Sequence, residues 1–295
     1  MQAVFHLGAH ATDDERLIRT LAANPEAMAG ARAHAPAPRA YRTALRDALI
    51  ALAGKPADAP TRKKLTEACQ AGAPGPVARL IFSYDNFLAL PDRAITQSGL
   101  YPVAADKLAP LANLFDPGQT EFFLGLLNPA VLIAALAARQ PGRSLEDILC
   151  GHAPLSLRWG PVVTRMAEAA RACGATLTLW CNEDLPLIFP DLLRAMSGVA
   201  EAVPLTGESA VVEEILSDEG RARLKSYLSL HPPQSLAQHR KVSLAFLEKF
   251  ARPEALEADI PLPGWTDETV AAVSAAYEED VAQIAALEGV RLIAP

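Results

Sequence analysis

The chain has 295 residues, of which 51% are hydrophobic, 21% charged and 6% aromatic, and its formal net charge is −7. That is enough apolar material for one sizeable core built mainly of Ala, Leu, Val and Ile. The acidic balance, with a pI near 5.4, excludes the broad basic surface that nucleic acid or anionic membrane requires. A polyanionic cofactor would need a local basic pocket.

The cysteines, Cys69, Cys150, Cys173 and Cys181, show no C-x-x-C spacing and read as free thiols of a reducing compartment. The opening MQAVFHLGAH lacks the basic and long apolar segments of a signal peptide. No apolar run reaches the roughly 20 residues that span a bilayer. The expectation is a cytoplasmic protein that binds neither nucleic acid nor membrane. Its ligand or protein partner and its oligomeric state, a homo-oligomer included, stay open.

In chain order, Ala3 to Leu7 is a short apolar run that Gly8 ends, and Leu17, Ile18, Leu21 and Ala22 recur at helical spacing behind Asp13 and Asp14. This is strand, turn and acid-capped helix. The Pro/Ala-rich stretch 31–40 reads as a loop, and helices follow over about 41–53 and 61–70. Strands are expected at Ala78–Ser83, Glu121–Leu127 and Ala175–Cys181, alternating with helices at 103–114, 130–139, 158–172 and 186–196. Beyond 205 the chain reads as helix over 209–228, 234–251 and 266–287, with a short closing strand at 290–293. Alternating strands and helices imply a three-layer α/β/α domain with a parallel sheet of four or five strands. The strand from Ala3 should lie centrally, between those from Ala78 and Glu121. Pro253 to Gly264 is the best linker candidate. No boundary divides 1–295, and 205–295 is the mostly helical C-terminal part of the same domain.

The first junction, His6-Leu7-Gly8-Ala9-His10-Ala11-Thr12, is where backbone N–H groups and a helix N-terminus hold phosphate in many α/β proteins. Its residue types argue otherwise. Asp13, Asp14 and Glu15 crowd the turn, no Lys is present, and only Gly8 offers backbone freedom. The alternative is a capped helix with solvated acids. His10, Asp85 and Glu183 are candidates to converge at the carboxyl end of the sheet. His10 is a candidate general base, although a lone His in a turn is more commonly a hydrogen-bonded structural residue. Glu183-Asp184 suits a cap for the following helix. Arg240-Lys241 reads as a solvated basic face, and His231-Pro232-Pro233 as a helix-ending turn. The histidines show no metal-binding spacing. Neither a G-x-S-x-G elbow nor a G-x-x-x-x-G-K-[ST] run is present.

Four segments together resemble the sulfotransferase family of the P-loop nucleotide-binding fold, as found in bacteria. His6, Gly8, His10 and Thr12 keep the frame of its first loop, H-x-G-x-x-K-T-G-T-[ST]. Ile81-Phe82-Ser83-Tyr84-Asp85-Asn86-Phe87 is similar to its S-S-E-x-F turn. Leu127-Asn128-Pro129 stands where the family has R-D-P. Trp180-Cys181-Asn182-Glu183-Asp184-Leu185, with Pro190, Leu192, Leu193 and Gly198 after it, resembles its Y-E-D-L … L-G segment. The likeness runs in order from residue 3 to about 198.

The resemblance implies a loop, here Gly8, Ala9 and Thr12, that cradles the 5′-phosphosulfate of 3′-phosphoadenosine 5′-phosphosulfate. It also implies an Arg and a Ser that bind the 3′-phosphate. In this chain the family's Lys falls on Ala11, its Gly on Asp13 and its threonines on Asp14 and Glu15. The Arg falls on Leu127 and the Ser on Ala135. The expectation is a degenerate member with no bound cofactor, residual loop residues Gly8, Ala9 and Thr12, and His10 and Asp85 as the candidate catalytic pair. An active transferase would need replacement cations from Arg16, Arg19, Arg139 or Arg158. The pocket at the strand ends should not be strongly electropositive.

Overall fold

The computed structural model describes all residues except 14, 257–259 and 261. The linker candidate therefore lies partly, and Asp14 wholly, outside the described residues. The strands are β1 (Gln2–His6), β2 (Ala33–His34), β3 (Arg79–Ser83), β4 (Ile95–Thr96), β5 (Gly99–Leu100), β6 (Thr120–Leu126), β7 (Thr176–Cys181) and β8 (Val290–Leu292). The helices in the first half are α1 (Arg16–Ala22), α2 (Pro25–Gly30), α3 (Pro38–Leu52), α4 (Ala59–Gln70), α5 (Ala104–Ala112), α6 (Pro129–Ala138) and α7 (Leu145–Leu149). Those in the second half are α8 (Trp159–Ala172), α9 (Leu185–Ser197), α10 (Ala210–Ile215), α11 (Asp218–Leu230), α12 (Leu236–Phe250), α13 (Pro253–Leu256) and α14 (Asp267–Ala285).

Six strands form one parallel sheet in the order β2-β3-β1-β6-β7-β8. β1 sits between β3 and β6, as its continuous apolar run requires, because a strand buried on both faces cannot alternate with polar residues. Phe5 points into one helical layer, with the Phe82 ring at 5.1 Å and Phe122 at 5.9 Å. That layer holds residues of α3, α4, α5, α6, α8 and α14. Val4 points the other way, with Ile81 and Phe123, into a core shared with α1, α2 and α9. The result is three layers, helix on both faces of a parallel sheet.

The sheet exceeds the four or five strands expected. β8 is the short strand foreseen at the C-terminus. β2 lies inside the Pro/Ala-rich stretch read as a loop. It is two residues long, and its junction with β3 is made by backbone, with Ala78 N–H donating to Arg32 O at 2.7 Å, so no side-chain pattern announced it. The helix expected over 209–228 is broken at Leu216 and Ser217. Ser217 Oγ accepts from Gly220 N–H to cap α11, and Leu216 pairs with Ala251 in an antiparallel bridge. Arg240 is not a solvated base. It donates to Asp191 of α9 at 2.7 Å and is only partly exposed.

The C-terminal part is woven into both layers. α14 lies along α8, where Asp280, 2% exposed, accepts from Trp159 N–H at 2.8 Å and Arg158 Nε at 2.9 Å. α8 therefore takes its N-terminal cap from another helix. Among the described residues no helix is long and apolar enough to cross a membrane.

Arg79 ties the sheet together. Its guanidinium donates to both carboxylate oxygens of Glu121 on β6 at 2.8 and 2.6 Å, and to the α9 carbonyls of Met196 at 2.7 Å and Ala195 at 3.0 Å. A cation at a helix C-terminus also complements its dipole. Arg79→Met should cost about 2–3 kcal/mol in urea unfolding, below the ~3–5 kcal/mol of a fully buried broken pair because Glu121 keeps some solvent. Pairing it with Glu121→Leu should recover part of the loss. A single-variant cost under about 0.5 kcal/mol, the scale of an ordinary surface change, would contradict this role.

Candidate functional site

Strand order reverses at β1, whose successors β2 and β3 lie to one side and β6 to the other. Such reversals leave a crevice at the carboxyl ends of the strands. Here a cavity of about 300 Å³ lies at the ends of β1 and β3. His6, Gly8, Ala9, Thr12, Asp13 and Ser83 contribute to its wall, with Glu15, Arg19, Arg42 and Asp85.

The backbone of the first loop is turned toward the protein. Leu7 N–H donates to Phe123 O at 2.8 Å, Ala9 N–H to Gly125 O at 3.2 Å, and Gly125 N–H to Gly8 O at 2.8 Å. His10 N–H donates to the Tyr101 hydroxyl at 3.1 Å. Thr12 Oγ1 donates to Ala9 O at 2.7 Å and is buried. Gly8, Ala9 and Thr12, the residues aligned with a phosphate cradle, thus pin the loop to β6 and close its own turn. Gly8 has φ 100°, and a Cβ there would lie 3.1 Å from the Asp85 Cα. Only glycine permits that approach of the first loop to the turn after β3. Ala11 and Glu15 also adopt left-handed conformations, φ 62° and 64°, so Gly8 is not the loop's sole source of unusual backbone.

The acids of the turn are not solvated as a group. Asp13 is 7% exposed. Its Oδ1 accepts from Leu17 N–H at 2.9 Å, and its carbonyl accepts from Arg16 N–H at 3.0 Å. Asp13 thereby fills the positive end of α1 with the chain's own carboxylate. Glu15 accepts from Arg42 Nη2 at 2.5 Å. Asp14 lies outside the described residues.

His10 and Asp85 come to the same side of the site but not to each other's hydrogen-bonding reach. The Tyr101 hydroxyl accepts from His10 N–H, so its own proton goes to His10 Nδ1, 2.6 Å away. The ring proton then sits on Nε2 and is donated to Asn86 Oδ1 at 3.0 Å. Both ring nitrogens are engaged, which is the structural role weighed for this histidine. Asp85 accepts from Arg139 Nη1 at 3.1 Å. Glu183 lies elsewhere, at the end of β7. It does not cap α9, whose flanking Asp184 makes no side-chain cap. Its Oε1 instead accepts from Asn128 N–H at 2.7 Å, and its Oε2 from the Tyr277 hydroxyl of α14 at 3.0 Å. A second helix start at this end of the sheet, that of α6, therefore also carries an internal carboxylate. Asn128 Oδ1 caps α6 through Ala130 N–H, and its Nδ2 donates to Ser274 of α14. Leu127, beside it, is 4% exposed, where a guanidinium would lose its hydration.

Several contacts of the site gave no sequence signal. His6 Nδ1 is hydrogen-bonded to Ser83 Oγ at 2.8 Å and lies 3.8 Å from Asp13 Oδ2. Burial lowers the His6 pKa against the opposing pull of Asp13 and Asp85, so the His6 ring is a neutral imidazole. The Tyr41 hydroxyl donates to Ser83 O and accepts from Ser83 N–H. Burial pushes its pKa up to about 12. Arg42 stacks on Tyr84, 4.2 Å from the ring centre. Tyr41 and Arg42 come from the first half of α3, distant in sequence from every motif.

Of the four arginines considered as replacement cations, Arg19 lines the cavity and Arg139 pairs with Asp85. Arg16 pairs with Glu214, and Arg158 with Asp280 and Glu279. The cavity wall carries Arg19 and Arg42 against Asp13, Glu15 and Asp85, so it is not strongly electropositive. Among the described residues no cluster of side chains could hold a metal ion. Compared with known proteins, the chain matches no family model and no curated protein.

Burial lowers the pKa values of His6, His10 and His239 from the ordinary 6.5. The unfolded chain takes up protons as pH falls past about 6.5 while the folded chain resists them. Their contribution to stability is therefore complete above about pH 6.5 and is lost progressively below it. The melting temperature should hold steady from pH 8 to 7 and fall between pH 6.5 and 5. A flat profile down to pH 5 would contradict the neutral, buried imidazoles.

Proposed function

We propose that the chain is a sulfotransferase-like protein on the P-loop fold that has lost 3′-phosphoadenosine 5′-phosphosulfate and serves as a non-catalytic small-molecule-binding protein. One observation carries this proposal. Asp13 at α1 and Glu183 at α6 place carboxylates on backbone N–H groups next to the positions where the resemblance puts the donor's two phosphate ends. Phosphate brought to either place would meet a negative charge and find its donors taken. Ala11, Leu127 and Ala135 add the loss of three contacts worth about 1.5–3 kcal/mol each, which is several orders of magnitude in affinity. The central place of β1 between β3 and β6 supports the fold assignment. With both charge signs in about 300 Å³, the cavity suits a compact neutral or zwitterionic molecule.

A second proposal, an active sulfotransferase with a rearranged donor site, is favoured by Arg19 and Arg42 at the cavity. An assay with the donor and phenol, alcohol or sugar acceptors separates the two. The first requires no transfer to any acceptor, because the defect lies on the donor that all of them share, and no rise in melting temperature with donor present. Transfer that disappears in Arg19→Ala would establish the second and overturn the first.

A further inference from the structure

Beside the polar cavity lies a second one, of about 450 Å³, between α3 and α5. The size falls within the roughly 300–1,000 Å³ of small-molecule sites. Its floor is apolar, made by Leu45, Leu49, Phe87 and Leu111. Ile50 stands at its edge with 72% of its surface exposed. Its charged lining is Arg42 and Arg46 from α3 and Lys107 and Asp106 from α5. Arg46 pairs with its neighbour Asp47 on the surface. Lys107 makes no ion pair among the described residues. Arg42 Nε is sealed from solvent without a hydrogen-bond acceptor. Its Nη2, by contrast, is held by Glu15 and, at 3.4 Å, by the Ser83 carbonyl.

An apolar floor under a predominantly cationic mouth is complementary to one ligand class, a molecule with an apolar body and a single anionic end. We propose that this cavity binds a small amphiphilic carboxylate. Its hydrocarbon lies on Leu45, Leu49, Phe87 and Leu111, and its carboxylate is drawn to Arg42 and Lys107 from the two walls. A charge-assisted hydrogen bond from a guanidinium or ammonium group to a carboxylate is stronger than one to a neutral hydroxyl. Arg42 and Tyr84 line both cavities, so an anion here shares Arg42 with Glu15 of the polar cavity. The site uses none of the residues that the sulfotransferase likeness rests on except the turn after β3.

The test is calorimetric titration of the full chain with decanoate, 1-decanol and decyltrimethylammonium, each below its micelle-forming concentration. Decanoate should bind saturably, decanol about tenfold more weakly, and the cation not at all. Lys107→Met and Arg46→Met, both at exposed positions, should keep the fold by circular dichroism. Lys107→Met should weaken decanoate about tenfold without changing decanol. Absence of saturable decanoate binding, equal binding of decanol, or decanoate affinity unchanged in Lys107→Met would each overturn the proposal. A parallel titration with 3′-phosphoadenosine 5′-phosphosulfate reads the donor question separately.

Discussion

Two backbone N–H groups at helix starts on the carboxyl side of the sheet are satisfied by the protein's own carboxylates. Asp13 holds Leu17 N–H at the start of α1, and Glu183 holds Asn128 N–H at the start of α6. In a parallel α/β sheet these helix starts are the natural anchors for anions. Filling them from within changes what the crevice can accept. Each carboxylate also does structural work. Asp13 lies beside His6, and Glu183 links β7 and α6 to Tyr277 of α14. Bound phosphate would have to displace contacts on which the packing rests.

The same logic extends along the first loop. Its N–H groups at Leu7, Ala9 and His10 are spent on β6 and on Tyr101. Gly8 leaves free the space beside the turn after β3, where a Cβ would lie 3.1 Å from the Asp85 Cα. Tyr101 in turn stacks between His10 and Trp159, with ring centres 5.8 and 5.5 Å away. His10 is thus part of a buried aromatic and hydrogen-bonded stack that fixes the loop. Beside this loop lie the small cavity where His6, Ser83, Arg19 and Arg42 meet the acids, and the larger amphipathic one behind Arg42.

Much of the sheet was legible because its strands are buried on both faces. The strands expected at Ala78–Ser83 and Glu121–Leu127 are carried by the uncharged apolar stretches Leu80–Phe82 and Phe122–Leu126, and their order around β1 follows from the crossover rules. β2 was hidden because two residues carry no periodicity. The break between α10 and α11 was hidden because Ser217 is also acceptable inside a helix. In the site, the acidic turn was visible, but not that Asp13 is buried and capping. Glu183 fits a local cap by spacing, yet its partners are Asn128 and Tyr277, 55 and 94 residues away. Tyr41, Arg42 and Tyr101 reach the site only through tertiary packing, which no local pattern encodes.

The most direct measurement of the central claim is a crystal structure determined from concentrated ammonium sulfate at neutral pH. With Asp13 and Glu183 in place of an anion, density at Leu17 N–H and Asn128 N–H should belong to those side chains, with no sulfate at either helix start. Sulfate bound to either N–H group, with its carboxylate turned away, would contradict the account.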